Sequence, residues 1–250
     1  MRQLFRRGVD TTDCLVYGHE AWIVTDKSVY APGEEVHAIM RWGHHMRPDG
    51  FFRLDEFKAF VEDERGNRIM IDPVKGPGDE QGDYYEFHFI PKSSGIHTIM
   101  AIYNNNYVRD EKDVYYEGDR RTYPNILDAK NYPQVYVACI TVGNATGETH
   151  YIDESRVSFV ASPWEADAEV LNLTLIHDRF PLQGSTVVVV HYDGENYSER
   201  ILNTDAKGRI FFNVEEKGTY MAVTRTPLAE GIEGIYDSKE IASSFTYVKR

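Results

Sequence analysis

Val36-His37-Ala38-Ile39-Met40-Arg41-Trp42-Gly43-His44-His45 is the stretch whose pattern decides the fold. Val36, Ala38, Met40 and Trp42 fall on one side, and His37, Ile39 and Arg41 on the other. That period of two is the signature of a half-buried strand. Gly43 interrupts it, and two consecutive imidazoles follow in a loop expected over residues 43–53, with Gly43, Pro48, Asp49 and Gly50. Upstream, Tyr30-Ala31-Pro32-Gly33-Glu34 has the proline and glycine of a tight turn. Before that turn, Ala21 to Thr25 reads as a short strand with His19 at its entry.

The same grammar continues in both directions. Strands are expected over Phe57–Glu62 and Arg68–Ile71, joined by Asp63-Glu64-Arg65-Gly66-Asn67, then over Tyr85–Ile90 and Ile96–Tyr103 about Pro91-Lys92-Ser93-Ser94-Gly95. Residues 104–133 are polar, tyrosine-rich and weakly periodic, and read as one long loop. Gln134–Val142 closes the first unit, and 143–154 reads as a linker. A second series follows: Val157–Ala161, Ala168–His177, Thr186–Tyr192, Tyr197–Asn203, Arg209–Val214, Tyr220–Thr226 and Ser243–Val248. Short strands at regular spacing without sustained helical periodicity indicate an all-β protein of two immunoglobulin-like β-sandwich domains in tandem, over 19–143 and 155–250 after a tail of residues 1–18. One short helix is expected within Leu228–Ile232.

Hydrophobic residues make up 42% of the 250, enough for a buried core. Forty acidic against 27 basic residues give a net charge of −13, which argues against nucleic acid or an anionic membrane as partner. No apolar run approaches the roughly 18 residues of a transmembrane span, and residues 1–18 hold no apolar core of an export signal. Two cysteines, Cys14 and Cys139, cannot build a thiolate metal site. There is no Gly-x-Ser-x-Gly elbow, and Gly76-Pro77-Gly78 lacks the lysine and helix of a phosphate loop. A binding protein is therefore expected rather than an enzyme.

Six of nine histidines (19, 37, 44, 45, 88 and 97) lie within the first 97 residues. Imidazole suits nickel, cobalt, copper and zinc. His19, His44, His45 and His97 are the expected metal ligands, with Glu20 and Glu86 as possible oxygen donors. His88 and His97 flank the 91–95 turn and would face each other if their strands paired about it. For His37 and His88 an ordinary surface role carries more weight. Seven tyrosines between Tyr103 and Tyr136 offer an alternative, a carbohydrate-binding or adhesion surface.

Gly18-His19-Glu20-Ala21-Trp22-Ile23, the Tyr30–Glu34 turn, Arg41-Trp42-Gly43-His44 and, further on, Asn203 to Phe212 and Lys217-Gly218-Thr219-Tyr220 resemble a bacterial family of unknown function. Its members are described as periplasmic components of cobalt/nickel ABC transport systems. The resemblance implies a periplasmic or otherwise extracytoplasmic β-sandwich that captures nickel or cobalt and serves a membrane transporter. His19 and His44 match its two histidine positions. In that family the first histidine sits near the mature N-terminus. Here eighteen residues precede His19, so unless they are removed only its side chain is offered to a metal.

Overall fold

Strand formation follows the alternation of apolar residues, and the strands stack in three layers. The computed structural model describes residues 20–48, 54, 57–112 and 114–250, together with the backbone course of residues 3–6. His19 and Cys14 lie outside the described residues. In chain order the first strands are β1 Gln3–Arg6, β2 Glu20–Thr25, β3 Val29–Tyr30, β4 Val36–His44, β5 Arg47–Pro48, β6 Phe57–Asp63 and β7 Arg68–Ile71. Next come β8 Val74–Lys75, β9 Tyr85–Phe89, β10 Gly95–Arg109, β11 Val114–Glu117, β12 Asp128–Val142, β13 Val157–Ala161 and β14 Val170–His177. The last are β15 Phe180–Pro181, β16 Thr186–Tyr192, β17 Tyr197–Asn203, β18 Arg209–Asn213, β19 Gly218–Leu228 and β20 Ser238–Lys249. No α-helix occurs among the described residues. The helix expected within Leu228–Ile232 is instead the end of β19 and a turn closed by an Ile232–Tyr236 bridge.

A central sheet runs in the order β1-β11-β10-β12-β20-β19-β16-β17, with β6 and β7 beside β10 and β3 beside β12. A front sheet holds β2-β4-β9-β8, with β5 on β4. A back sheet holds β13, β14 and β15, with β18 on β14. Side-chain parity explains the stacking. From β10 and β12, Ile99, Ala101, Tyr103, Tyr136, Ala138 and Ile140 pack against Ile23, Val36, Ala38, Met40 and Phe87 of the front sheet. Their neighbours Met100, Val135, Val137 and Cys139 point the other way, onto Phe159, Leu173, Leu175 and Phe212 of the back sheet. The centre of the sheet is thus covered on both faces, which is why Val135 to Ile140 carries no polar alternation.

The all-β sandwich architecture holds. The two halves meet near residues 143–156 but are not insulated from one another. β12 pairs in parallel with β20, from Lys130↔Ser238 to Ala138↔Thr246, so one sheet crosses the junction. One apolar cluster spans it too, joining Phe60, Ile96 and Met100 to Trp164, Phe245 and Tyr247. The Trp164 indole N–H donates to Thr141 Oγ1 at 3.2 Å. Polar contacts reinforce the seam. Glu154 accepts from Arg68 at 2.7 and 2.8 Å, and His150 Nε2 lies 2.8 Å from Glu62 Oε1.

Residues 104–133 are not a long loop. Residues 104–109 and 128–133 extend β10 and β12 into a continuous antiparallel ladder from Gly95↔Val142 to Arg109↔Asp128, with β11 added on the edge. The Asn131 amide donates at 3.0 Å to both Asn104 Oδ1 and Asn106 Oδ1, so polar side chains bind one another across this arm.

Candidate metal centre

The outer face of the front sheet carries the one group of three or more donors close enough to share an ion among the described residues. Met40, Ala38 and Val36 commit one face of β4 to the core, which turns His37 outward. On β9, Tyr85, Phe87 and Phe89 do the same and turn out Glu86 and His88. The two strands pair antiparallel with His37 directly opposite His88 and Ile39 opposite Glu86. The turn before β4 reaches the chain just beyond β9, where the Gly33 N–H donates to the Pro91 carbonyl at 3.3 Å. Gly33 takes a left-handed φ of +80°, and Glu34 Oε2 accepts the Ala31 N–H at 2.8 Å.

The imidazole centroids of His37 and His88 lie 4.8 Å apart. His88 Nε2 is 3.6 Å from Glu86 Oε2, and one donor atom from each of the three residues lies within 4.8 Å of the others. An ion held at about 2.0–2.2 Å by nitrogen and oxygen sets its donors roughly 3–4 Å apart. Small rotations of half-exposed side chains close that difference. Two imidazoles and one carboxylate suit zinc, nickel, cobalt or copper, whereas magnesium and calcium prefer all-oxygen sets. The residues therefore fit a divalent transition metal.

The expected ligands His44, His45 and His97 do not join this group. His44 has even parity on β4 and so projects from the opposite face to His37. Gly43 must lack a side chain there, because a Cβ would sit 2.0 Å from the Arg47 carbonyl oxygen. His45 and Met46 form the two-residue turn that follows, both with positive φ (52° and 59°). The His45 N–H donates to the buried Glu20 carboxylate at 3.2 Å, and its ring lies 5.2 Å from that of Tyr197.

His97 is a core residue, 2% exposed, with Nδ1 3.3 Å from the Gly95 carbonyl and Nε2 3.4 Å from Ser93 Oγ. Burial lowers its pKa from the usual imidazole value, against the pull of the Gly95 carbonyl, Asp63 and Glu64. It does not face His88. The 91–95 turn carries the chain from the front sheet to the central one, so β9 and β10 never pair.

The tyrosines are mostly interior. Tyr103, Tyr107, Tyr115, Tyr132 and Tyr136 are each at most 9% exposed, and Tyr107 meets Tyr115 and Tyr132 edge to face. Tyr116 and Tyr123 stack at 6.0 Å on the less buried side.

One signal for the centre was present in sequence. Glu86-x-His88 places two donors on one strand face, and His37 alternates out of its own strand. What the sequence withheld was the register joining strands about 50 residues apart.

No helix among the described residues is long and apolar enough to cross a membrane. No curated protein matches the chain. Among solved structures, a DUF4785 family protein from Legionella pneumophila shares 7% identity, covering 86% of this chain and 53% of its own, with a TM-score of 0.28. The chain thus spans about half the length of that protein. The D0-D1 domain of intimin shares 9%, covering 91% of this chain and 97% of its own, at 0.23. Escherichia coli alpha-2-macroglobulin activated by porcine elastase shares 13%, covering 93% of this chain and 20% of its own, at 0.29. Likeness at such scores says nothing about activity. The profile described as a domain of unknown function (DUF4198) matches residues 16–227, and the chain belongs to that family.

Proposed function

We propose that this protein is an extracytoplasmic binding protein for a divalent transition metal, nickel or cobalt first, acting in metal uptake or delivery. The observation that carries the metal reading is the convergence of His37, Glu86 and His88 on one open sheet face. The preference for nickel or cobalt over zinc or copper, the periplasmic setting and the membrane transporter as recipient rest on the family resemblance of the sequence. An open, three-donor site suits delivery, because positions left to water exchange readily with a recipient's ligands.

A second placement of the ion is favoured by one register. Glu20, next in sequence to His19, pairs with Gly43, next to His44, and the Glu20 carboxylate holds the His45 backbone. It brings the Glu20 carboxylate beside the end of β4 that carries His44, and the family resemblance adds His19, which lies outside the described residues.

Calorimetric titration with Ni(II), Co(II), Zn(II) and Cu(II) of wild type, His37→Ala/His88→Ala and His44→Ala separates the two. Loss of binding in the first variant alone supports the centre on the front sheet. Loss in His44→Ala alone moves the ion to the other end of β4. Wild-type binding no tighter than that of both variants ends the metal reading.

A further inference from the structure

His88 is flanked by carboxylates at both ring nitrogens. Glu86 Oε2 lies 3.6 Å from Nε2, and Glu35 Oε1 lies 3.8 Å from Nδ1. The two imidazole nitrogens project to different sides of the ring, so one ion cannot take Glu35 and Glu86 through the same histidine. Glu35 is also outside the cluster of mutually close donors. It stands two residues before His37, so both are of the parity that β4 turns outward, beside His88 of β9.

We propose that Glu35 is the positioning residue of this centre. Its carboxylate takes the Nδ1–H of His88 and holds the neutral ring in the tautomer that presents a bare Nε2 toward Glu86 and His37. Imidazole ligands commonly donate their second ring N–H to a carboxylate, which fixes ring orientation and raises the basicity of the ligating nitrogen. The Glu35 carboxylate is 64% exposed, and a modest rotation brings 3.8 Å to a normal hydrogen-bond length. With a divalent ion bound, Glu35 and Glu86 together balance its charge.

The ligating half of this proposal rests on the metal reading above; the tautomer does not. Long-range proton–nitrogen NMR of metal-free protein, well above the ordinary imidazole pKa of about 6.5, reads the His88 tautomer directly. The expected result is a substantial Nδ1–H population in wild type, held against the competing pull of Glu86 Oε2, 3.6 Å from Nε2. In Glu35→Ala the ring should shift toward Nε2–H, and in Glu35→Asp it should recover. Titration of the same variants with Ni(II) and Co(II) should show affinity about 10–100-fold weaker for Glu35→Ala, again recovering in Glu35→Asp. A wild-type ring already in the Nε2–H form, or one unmoved by Glu35→Ala, overturns the role of Glu35 whether or not metal binds. An Nδ1–H ring that responds to Glu35, in protein that binds no metal, upholds Glu35 and sinks the metal reading instead. An Nδ1–H ring with unchanged metal affinity in Glu35→Ala overturns positioning of the ion.

Discussion

Ser244 Oγ donates to the carbonyl oxygen of Ala21 at 3.0 Å, joining the last long strand to β2 across 223 positions of the chain. Two residues further on, Thr246 Oγ1 lies 3.4 Å from the Ile23 backbone N–H. On the other side of β2, Trp22 and Val24 pack against Val188, Val190, Met221 and Val223 of the C-terminal half. β2 is therefore held by both halves at once.

The two halves are expected to unfold together. Urea denaturation followed by tryptophan fluorescence and by far-ultraviolet circular dichroism should give coincident single transitions. Phe60→Ala, in the shared apolar cluster, should cost about 3–5 kcal/mol without splitting the transition. Two resolved transitions would show the halves to be independent.

Asp63 closes the β6–β7 turn. It accepts the N–H groups of Arg65 and Asn67 at 2.9 Å, the Asn67 amide at 2.9 Å and the Ser93 hydroxyl at 2.7 Å. Burial opposes its ionisation, but these bonds outweigh burial and hold the carboxyl well below the usual range. A lowered folded pKa means the stabilisation is complete above the unfolded value of about 3.9 and fades as pH falls below it. Asp63→Ala should lose about 3 kcal/mol at neutral pH, and the gap to wild type should narrow in acid titrations of stability.

His97 gives pH dependence in a higher window. Its folded pKa lies below the unfolded value of about 6.5, so the unfolded chain binds the proton first. Stability should fall as pH drops through 6.5 and level off once the folded ring is protonated. Asp63 and Glu64 face the ring and moderate the effect. His97→Gln should flatten that step in urea midpoints measured across the window. Its affinity for Ni(II) should equal wild type; a loss of affinity would restore His97 as a ligand.

Cys139 lies in the shared core, 6% exposed, and burial pushes its thiol up to about 12, against a weak contact with Thr98 Oγ1 at 3.9 Å. In a Cys14→Ser background the native protein should leave a thiol-reactive chromogen unreacted, and one thiol should titrate on unfolding. Rapid reaction in the native state would contradict the burial of β12.

Strand identity was legible where a short run rich in β-branched or aromatic residues was bounded by turn signals. Val157–Ala161, Thr186–Tyr192 and Tyr197–Asn203 match their expected limits, and β4 runs on past Trp42 to His44. The arm formed by β10 and β12 was missed because no sheet covers it throughout. Its polar side chains answer to one another, as at Asn104, Asn106 and Asn131, and its tyrosines form a cluster of their own. The seam between halves was hidden for a different reason, since parallel pairing of β12 with β20 leaves no turn signal between them. At the candidate centre, alternation already placed His37, Glu86 and His88 on outward faces. Only the pairing of β4 with β9 could say that those faces were one.

The pairing of β12 with β20 also sets a timetable. Lys130 lies opposite Ser238 and Ala138 opposite Thr246, each 108 positions apart (238 − 130 and 246 − 138). At ribosomal rates of about 5–20 residues per second, the C-terminal partner emerges roughly 5–20 s after β12. Until then Val135 and Val137 lack β20 beside them, and the back sheet over them is itself incomplete until β18, at Arg209–Asn213, has emerged. That interval is when the nascent chain is most prone to aggregate, and a fragment ending near residue 143 would remain in that condition indefinitely.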